Sequence, residues 1–135
     1  MFLSKKRTGS SSRIDSLIGA DTQVTGDIAF RGGLRVDGAV RGNIRSTGEP
    51  TGGTLVVSEH ARVEGDIEVP KVIINGVVDG SLISAEFIEL QPHARVTGDV
   101  HYNMIEIHLG AVIQGSLVHQ ATNDKAVELK LAAAV

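Results

Sequence analysis

Residues 61–67 read "ARVEGDI" and residues 94–100 read "ARVTGDV", nearly the same seven residues 33 positions apart. Repetition at a fixed spacing marks a chain built by stacking copies of one small unit. The two stretches belong to a longer series of the form aliphatic, any residue, Gly, small polar, aliphatic. It occurs as "VTGDI" (24–28), "VRGNI" (40–44), "VEGDI" (63–67), "VDGSL" (78–82), "VTGDV" (96–100) and "IQGSL" (113–117). The glycines fall at 26, 42, 65, 80, 98 and 115, with spacings of 16, 23, 15, 18 and 17. The longest spacing contains "STGEPTGG" (46–53), which reads as a loop insertion of about six residues. Alternate copies carry a longer turn before the motif, as in "SEHARV", "QPHARV" and "HLGAVI", where "VDGAV" (36–40) and "INGVV" (74–78) are tighter. The unit is then a pair of turns of about 33 residues, which places the two opening stretches one pair apart.

A period this short fits neither a helical repeat nor a propeller blade. It fits one coil of a β-solenoid, in which short strands and turns stack on the coil before. The aliphatic residues flanking each glycine point inward, and polar residues between them, such as Arg41, Glu64 and Thr97, face water. Six coils at ~4.8 Å give a rod core of roughly 29 Å. The expected fold is all-β, a single parallel β-helix over 14–119. Residues 1–13 form an expected disordered tail, and 120–135, "QATNDKAVELKLAAAV", an expected second tail or short helix.

Composition agrees. Of 135 residues, 3% are aromatic and none is Trp, so Val, Ile and Leu must fill the core, which favours sheet. The 16 Gly call for frequent turns. The absence of Cys excludes disulfides and thiolate metal sites. There is no run of 18 apolar residues, and no apolar segment of a secretory signal follows the first residues, so the expected compartment is the cytoplasm.

The net charge of −3 is unevenly spread. Residues 1–13 carry +4 from Lys5, Lys6, Arg7 and Arg13, and the remainder carries −7 from nine bases and sixteen acids. An acidic body argues against nucleic acid as a partner. In "MFLSKKR" (1–7), Met1, Phe2 and Leu3 are apolar residues that the solenoid does not need, and Lys5, Lys6 and Arg7 follow at once. Apolar side chains that enter a bilayer, with cations at anionic headgroups, fit this order. One such tip binds weakly, at roughly 1 kcal/mol per cation near an anionic surface. Many tips on one assembly bind strongly.

Other candidates read as structure. The residue after each motif glycine is Asp27, Asn43, Asp66, Ser81, Asp99 or Ser116. Stacked carboxylates hold calcium in some repeat proteins, but all six residues are turn formers and the acids skip coils, so no metal is expected. His60 and His93 share a slot that Asp21 and Gly110 fill elsewhere, which points to a turn residue rather than a catalytic base. "GGLRVDGAVRGN" (32–43) lacks the Lys-Ser/Thr and the strand-to-helix setting of a phosphate loop. No cofactor is expected.

With its six "V-x-G-D-I"-like coils over 14–119 and its apolar-basic start, the chain resembles the bactofilins. The resemblance implies a right-handed β-helix that polymerises end to end, without nucleotide, into non-polar filaments. It further implies a bacterial cytoskeletal scaffold for cell-wall enzymes at the inner face of the membrane. It assigns membrane contact to Met1, Phe2, Leu3, Lys5, Lys6 and Arg7. Some members join subunits through aromatic residues in the last coil. Val112 and Ile113 stand at those positions here and remain apolar. A solenoid end exposes unpaired strand edges, and "NMIEIHLGAVIQGSLVH" (103–119) contains no polar cap, so Val112, Ile113 and Leu117 are the expected polymerisation surface. The tail segment "AVELKLAAAV" is the one candidate cap. The alternative reading, an acyltransferase of the hexapeptide-repeat solenoid type, needs a six-residue period that is absent.

Overall fold

Each coil contains three short strands, one on each of three faces of a prism. The computed structural model describes residues 14–48 and 52–120. The first face contains β1 (Ser16–Ile18), β4 (Gly33–Val36), β7 (Thr54–Val57), β10 (Lys71–Ile74), β13 (Phe87–Leu90) and β16 (Met104–Ile107). The second contains β2 (Gln23–Thr25), β5 (Ala39–Arg41), β8 (Arg62–Glu64), β11 (Val77–Asp79), β14 (Arg95–Thr97) and β17 (Val112–Gln114). The third contains β3 (Ile28–Phe30), β6 (Ile44–Ser46), β9 (Ile67–Glu68), β12 (Leu82–Ile83), β15 (Val100–Tyr102) and β18 (Leu117–His119). Each face is a six-stranded sheet in coil order, and every strand pair is parallel. This is the expected solenoid of six coils. Its triangular section was not part of the sequence expectation.

The register places the repeat residue on residue. Val40, Val63, Val78 and Val96 stack in one column. Ile44, Ile67, Leu82 and Val100 stack in another. All eight are at most 1% exposed. The first face supplies the third side of the core through Val36, Val57, Ile74 and Leu90, each 0% exposed. Burying a Val, Leu or Ile side chain contributes about 1.5–3 kcal/mol, so a stack in which Phe30 is the one buried ring among the described residues still holds together. Arg41 and Thr97 are exposed and Glu64 half-buried, as the alternation requires.

The motif glycine is set by close approach. A Cβ on Gly42, Gly65, Gly80 or Gly115 would lie 2.0–2.1 Å from the carbonyl oxygen of the glycine one coil earlier. Only a residue without a side chain lets the coils close to strand-pairing distance there. The next residue locks the same corner. Asp27 Oδ1 accepts the amide of Asn43, Asn43 Oδ1 that of Asp66, Asp66 Oδ1 that of Ser81, and Asp99 Oδ1 that of Ser116, at 2.9–3.1 Å.

The turn between the first and second faces alternates between four residues and two. Gly19–Thr22, Ser58–Ala61 and Gln91–Ala94 each close with an amide of the fourth residue donating to the carbonyl of the first. Asp37-Gly38 and Asn75-Gly76 are the short versions. The sixth coil has the four-residue form, His108–Ala111, as expected from "HLGAVI", so it follows the long turn of the fifth coil directly and the alternation stops there. The expected insertion is present, since residues 47–53 separate β6 from β7, where two residues separate β3 from β4. The solenoid ladder reaches one residue past its expected boundary, through a 2.7 Å bond from the Gln120 amide to the Tyr102 carbonyl. The expected tail at 1–13 and all but the first residue of the expected tail at 120–135, and with them the candidate cap, lie outside the described residues.

Candidate assembly surfaces

The two ends of the prism are where its chemistry is unfinished. β1, β2 and β3 pair on one side only, and so do β16, β17 and β18. Each end therefore presents three strand edges with a row of backbone donors and acceptors. The apolar interior also opens there. Among the described residues, every large hydrophobic with substantial exposure belongs to the first or last coil: Ile14, Leu17, Met104, Ile107, Leu109, Leu117 and Val118. Ile18, Val24 and Ile28 at one end, and Ile105 and Ile113 at the other, pack on the core on one side only.

The three last-coil residues named from sequence divide on inspection. Ile113 continues the inward column of Val96, and Leu117 that of Val100. Both belong to the open core layer, where Leu117 is 47% exposed and Ile113 partly buried. Val112 aligns with Arg95, an outward position, and lies on the second face rather than in the end layer. Sequence reasoning passed over Ile105 and Ile107, which continue Ile88 and Leu90. The first coil, which the sequence from Ile14 to Ile28 also leaves without a polar cap, contributes the layer of Ile18, Val24 and Ile28, in register with Val36, Val40 and Ile44. The signal for all of these was position within the coil, not residue type.

The other candidates resolve into structural roles. The carboxylates and amides after the motif glycines spend an oxygen on the next coil's backbone amide, in line with the turn reading. His93 Nε2 lies 3.5 Å from Glu59, and its backbone amide donates to Asn75 Oδ1 at 2.9 Å. His60 lines a shallow polar groove with Ser58, Asn75 and Gln91. The glycine-rich stretch 32–43 forms β4, a two-residue turn and β5, with no helix for a phosphate to rest on.

Four of the charges on the second face are matched to one another. Arg41 pairs with Glu64 at 3.2 Å, and Arg62 bridges Glu64 at 3.2 Å and Asp79 at 2.9 Å. Such exposed pairs contribute little stability. At the turn after β4, the Ser58 hydroxyl donates to Asp37 Oδ1 at 2.5 Å and the Arg35 guanidinium approaches at 2.9 Å. Together they hold the Asp37 carboxyl below its ordinary value, the hydroxyl acting most strongly, against a desolvation that pushes the other way.

A parallel prism whose core is exposed at both ends, with no cap among the described residues, belongs to the class of solenoids able to join end to end. Residues 16–118 match the family model "Bactofilin: Polymer-forming cytoskeletal", and the chain belongs to the bactofilin family. It is 33% identical over 103 residues to bactofilin BacO of Myxococcus xanthus (strain DK1622), covering 76% of this chain and 78% of that one. It also resembles the chain of the Thermus thermophilus bactofilin double helical filaments, with a TM-score of 0.59 and 30% identity. That match covers 78% of this chain and 99% of that one.

Proposed function

We propose that this chain is a structural polymer: subunits join end to end through their terminal coils, without nucleotide, into filaments that scaffold cell-wall or morphogenesis proteins at the cytoplasmic face of a bacterial membrane. The observation that carries polymerisation is that, among the described residues, the large exposed hydrophobics all belong to the first and last coils. When two ends meet, the backbone ladder continues across the junction as in strand addition, and Ile105, Ile113 and Leu117 meet another apolar layer. The double helical filaments of the Thermus relative support a paired strand as the assembled form. Membrane attachment rests on the composition of residues 1–7, and scaffolding on family membership.

Ile113→Arg tests the junction. The charge must be buried without a partner when ends meet, but stays near water in a free subunit. The expected result is folded, soluble small species by circular dichroism and light scattering. Long filaments persisting in the variant would contradict an end-to-end junction. Deleting residues 2–7 tests attachment: the truncated protein should assemble but no longer pellet with anionic liposomes. Undiminished pelleting would remove the tip as the anchor.

A further inference from the structure

The three outer faces of the prism differ in how they would meet a copy of themselves. Along the first face, register aligns Leu17, Arg35, Val56, Ile73, Glu89 and Glu106 in one outward row from the first coil to the last. The row is cationic near one end, aliphatic in the middle and acidic at the other end. Beside it runs a second row in which Gly33, Thr54, Lys71 and Phe87 follow one another, the first two buried and the last two half-buried. A two-fold axis along the strand direction, between β7 and β10, exchanges β7 with β10, β4 with β13, and β1 with β16. It lays Val56 on Ile73 of a second copy and Arg35 on Glu89. Aliphatic side chains meet at the axis, and unlike charges meet beside it. At the rim, Leu17 and Glu106 fall opposite each other in water.

The same operation fails on the other faces. On the second it sets Glu64 against Asp79 beside the axis, and Arg41 and Arg62 there are already paired within the chain. On the third it sets Arg45 against His101, with no carboxylate opposite. Isologous contacts require a patch complementary to itself, and among the three faces the first alone meets that requirement. The neighbours of its charges do not oppose the match. Arg35 touches Asp37, and Glu89 touches His108 and Gln91 through one carboxylate oxygen, leaving the other able to meet a cation. Glu106 also reaches His108, and Lys71 reaches Glu86.

We infer that the first face is the seam along which two filaments of this protein lie side by side, each subunit antiparallel to the one it faces, with Val56 and Ile73 at the two-fold axis and Arg35 paired with Glu89 of the second copy. The inference rests on the end-to-end reading, and its size says why. Six strands of about four residues cover roughly 29 Å by 13 Å, or ~380 Å² per copy. Stable complexes bury about 800 Å² per partner. Two free subunits therefore stay apart, and the contact holds only when a filament repeats it at every subunit.

Electron microscopy and mass per unit length of purified filaments test it. Wild-type filaments should be paired. Ile73→Lys and Glu89→Arg should each give long single filaments of half the mass per length, with the fold intact by circular dichroism. Arg35→Glu combined with Glu89→Arg should restore pairing. Pairs that survive both single substitutions, or a double exchange that rescues nothing, would overturn the seam. So would wild-type filaments that are single and become paired on deletion of residues 121–135, which would make that segment the occupant. So, too, would loss of liposome binding by Ile73→Lys with pairing unchanged, which would make a membrane the occupant. A wild type with no filaments at all would instead overturn the end-to-end reading, and the seam with it.

Discussion

Coils two to five and the two end coils are written in the same motif, yet they stand in different physical states. Val78 and Leu82 have a neighbouring layer above and below and are 0% exposed. Ile113 and Leu117 occupy the same slots in the last coil, have a layer on one side only, and Leu117 is 47% exposed. The glycine column makes the same contrast. A Cβ on Gly80 would meet the Gly65 carbonyl oxygen at 2.0 Å, whereas one on Gly26, in the first coil, would meet nothing within 4 Å. The difference teaches that the repeat encodes a stacking surface on both sides of every coil. At the ends that surface is still encoded, and within the subunit nothing described uses it.

Substitutions should separate the two regions, the largest effect coming from the middle. Val96→Asp places an unpaired carboxylate among aliphatics and should cost ~4 kcal/mol or more, enough to unfold a small domain. Thr97→Lys, its outward neighbour, should stay within about 0.5 kcal/mol. Thermal melts of the pair check this, and equal melting temperatures would invert the inward and outward assignment. Next, Gly80→Ala should destabilise more than Gly26→Ala. Both take up backbone strain of ~1–3 kcal/mol, but only the former also forces two backbones apart. Similar losses in urea titrations would mean the coils can separate at no cost.

Smaller effects sharpen the picture of what ties coil to coil. Asn43→Ala removes the acceptor for the Asp66 amide and should cost about 1 kcal/mol, with faster hydrogen exchange at that amide. Unchanged exchange would show that the corner holds without its side chain. Smallest is the pH dependence of Ser58→Ala. The Asp37 carboxyl is depressed from 3.8 in the folded protein. Its stabilisation is therefore complete above that value and fades as pH falls through the lower folded-state value. The variant should melt slightly below the wild type at neutral pH and converge with it in strong acid. A gap that widened in acid would refute the sign.

The six coils, their glycines, the inward valines and the insertion at 46–53 were legible because the second-face corner needs particular residues: Gly where backbones touch, Asx or Ser where an amide seeks a partner. The first face was not legible in the same way. "GLRV", "TLVV", "KVII", "FIEL" and "MIEI" share alternation but no residue type, since inward filling by any aliphatic serves. Hence Val112, adjacent to a motif position, was taken as part of the end layer, and Ile105 and Ile107 were missed. The four-residue turn of the last coil was readable in "HLGAVI", and it follows the long turn of the fifth coil, so the alternation holds only across the first five.

The central claim is that solenoid axes run along the filament, with coils continuing across each junction. Fibre diffraction from aligned filaments tests it most directly. Coils stacked along the filament predict a ~4.8 Å reflection on the meridian, with a subunit repeat near 29 Å or twice that. The same ~4.8 Å reflection on the equator would place the coils side by side across the filament and contradict an end-to-end junction.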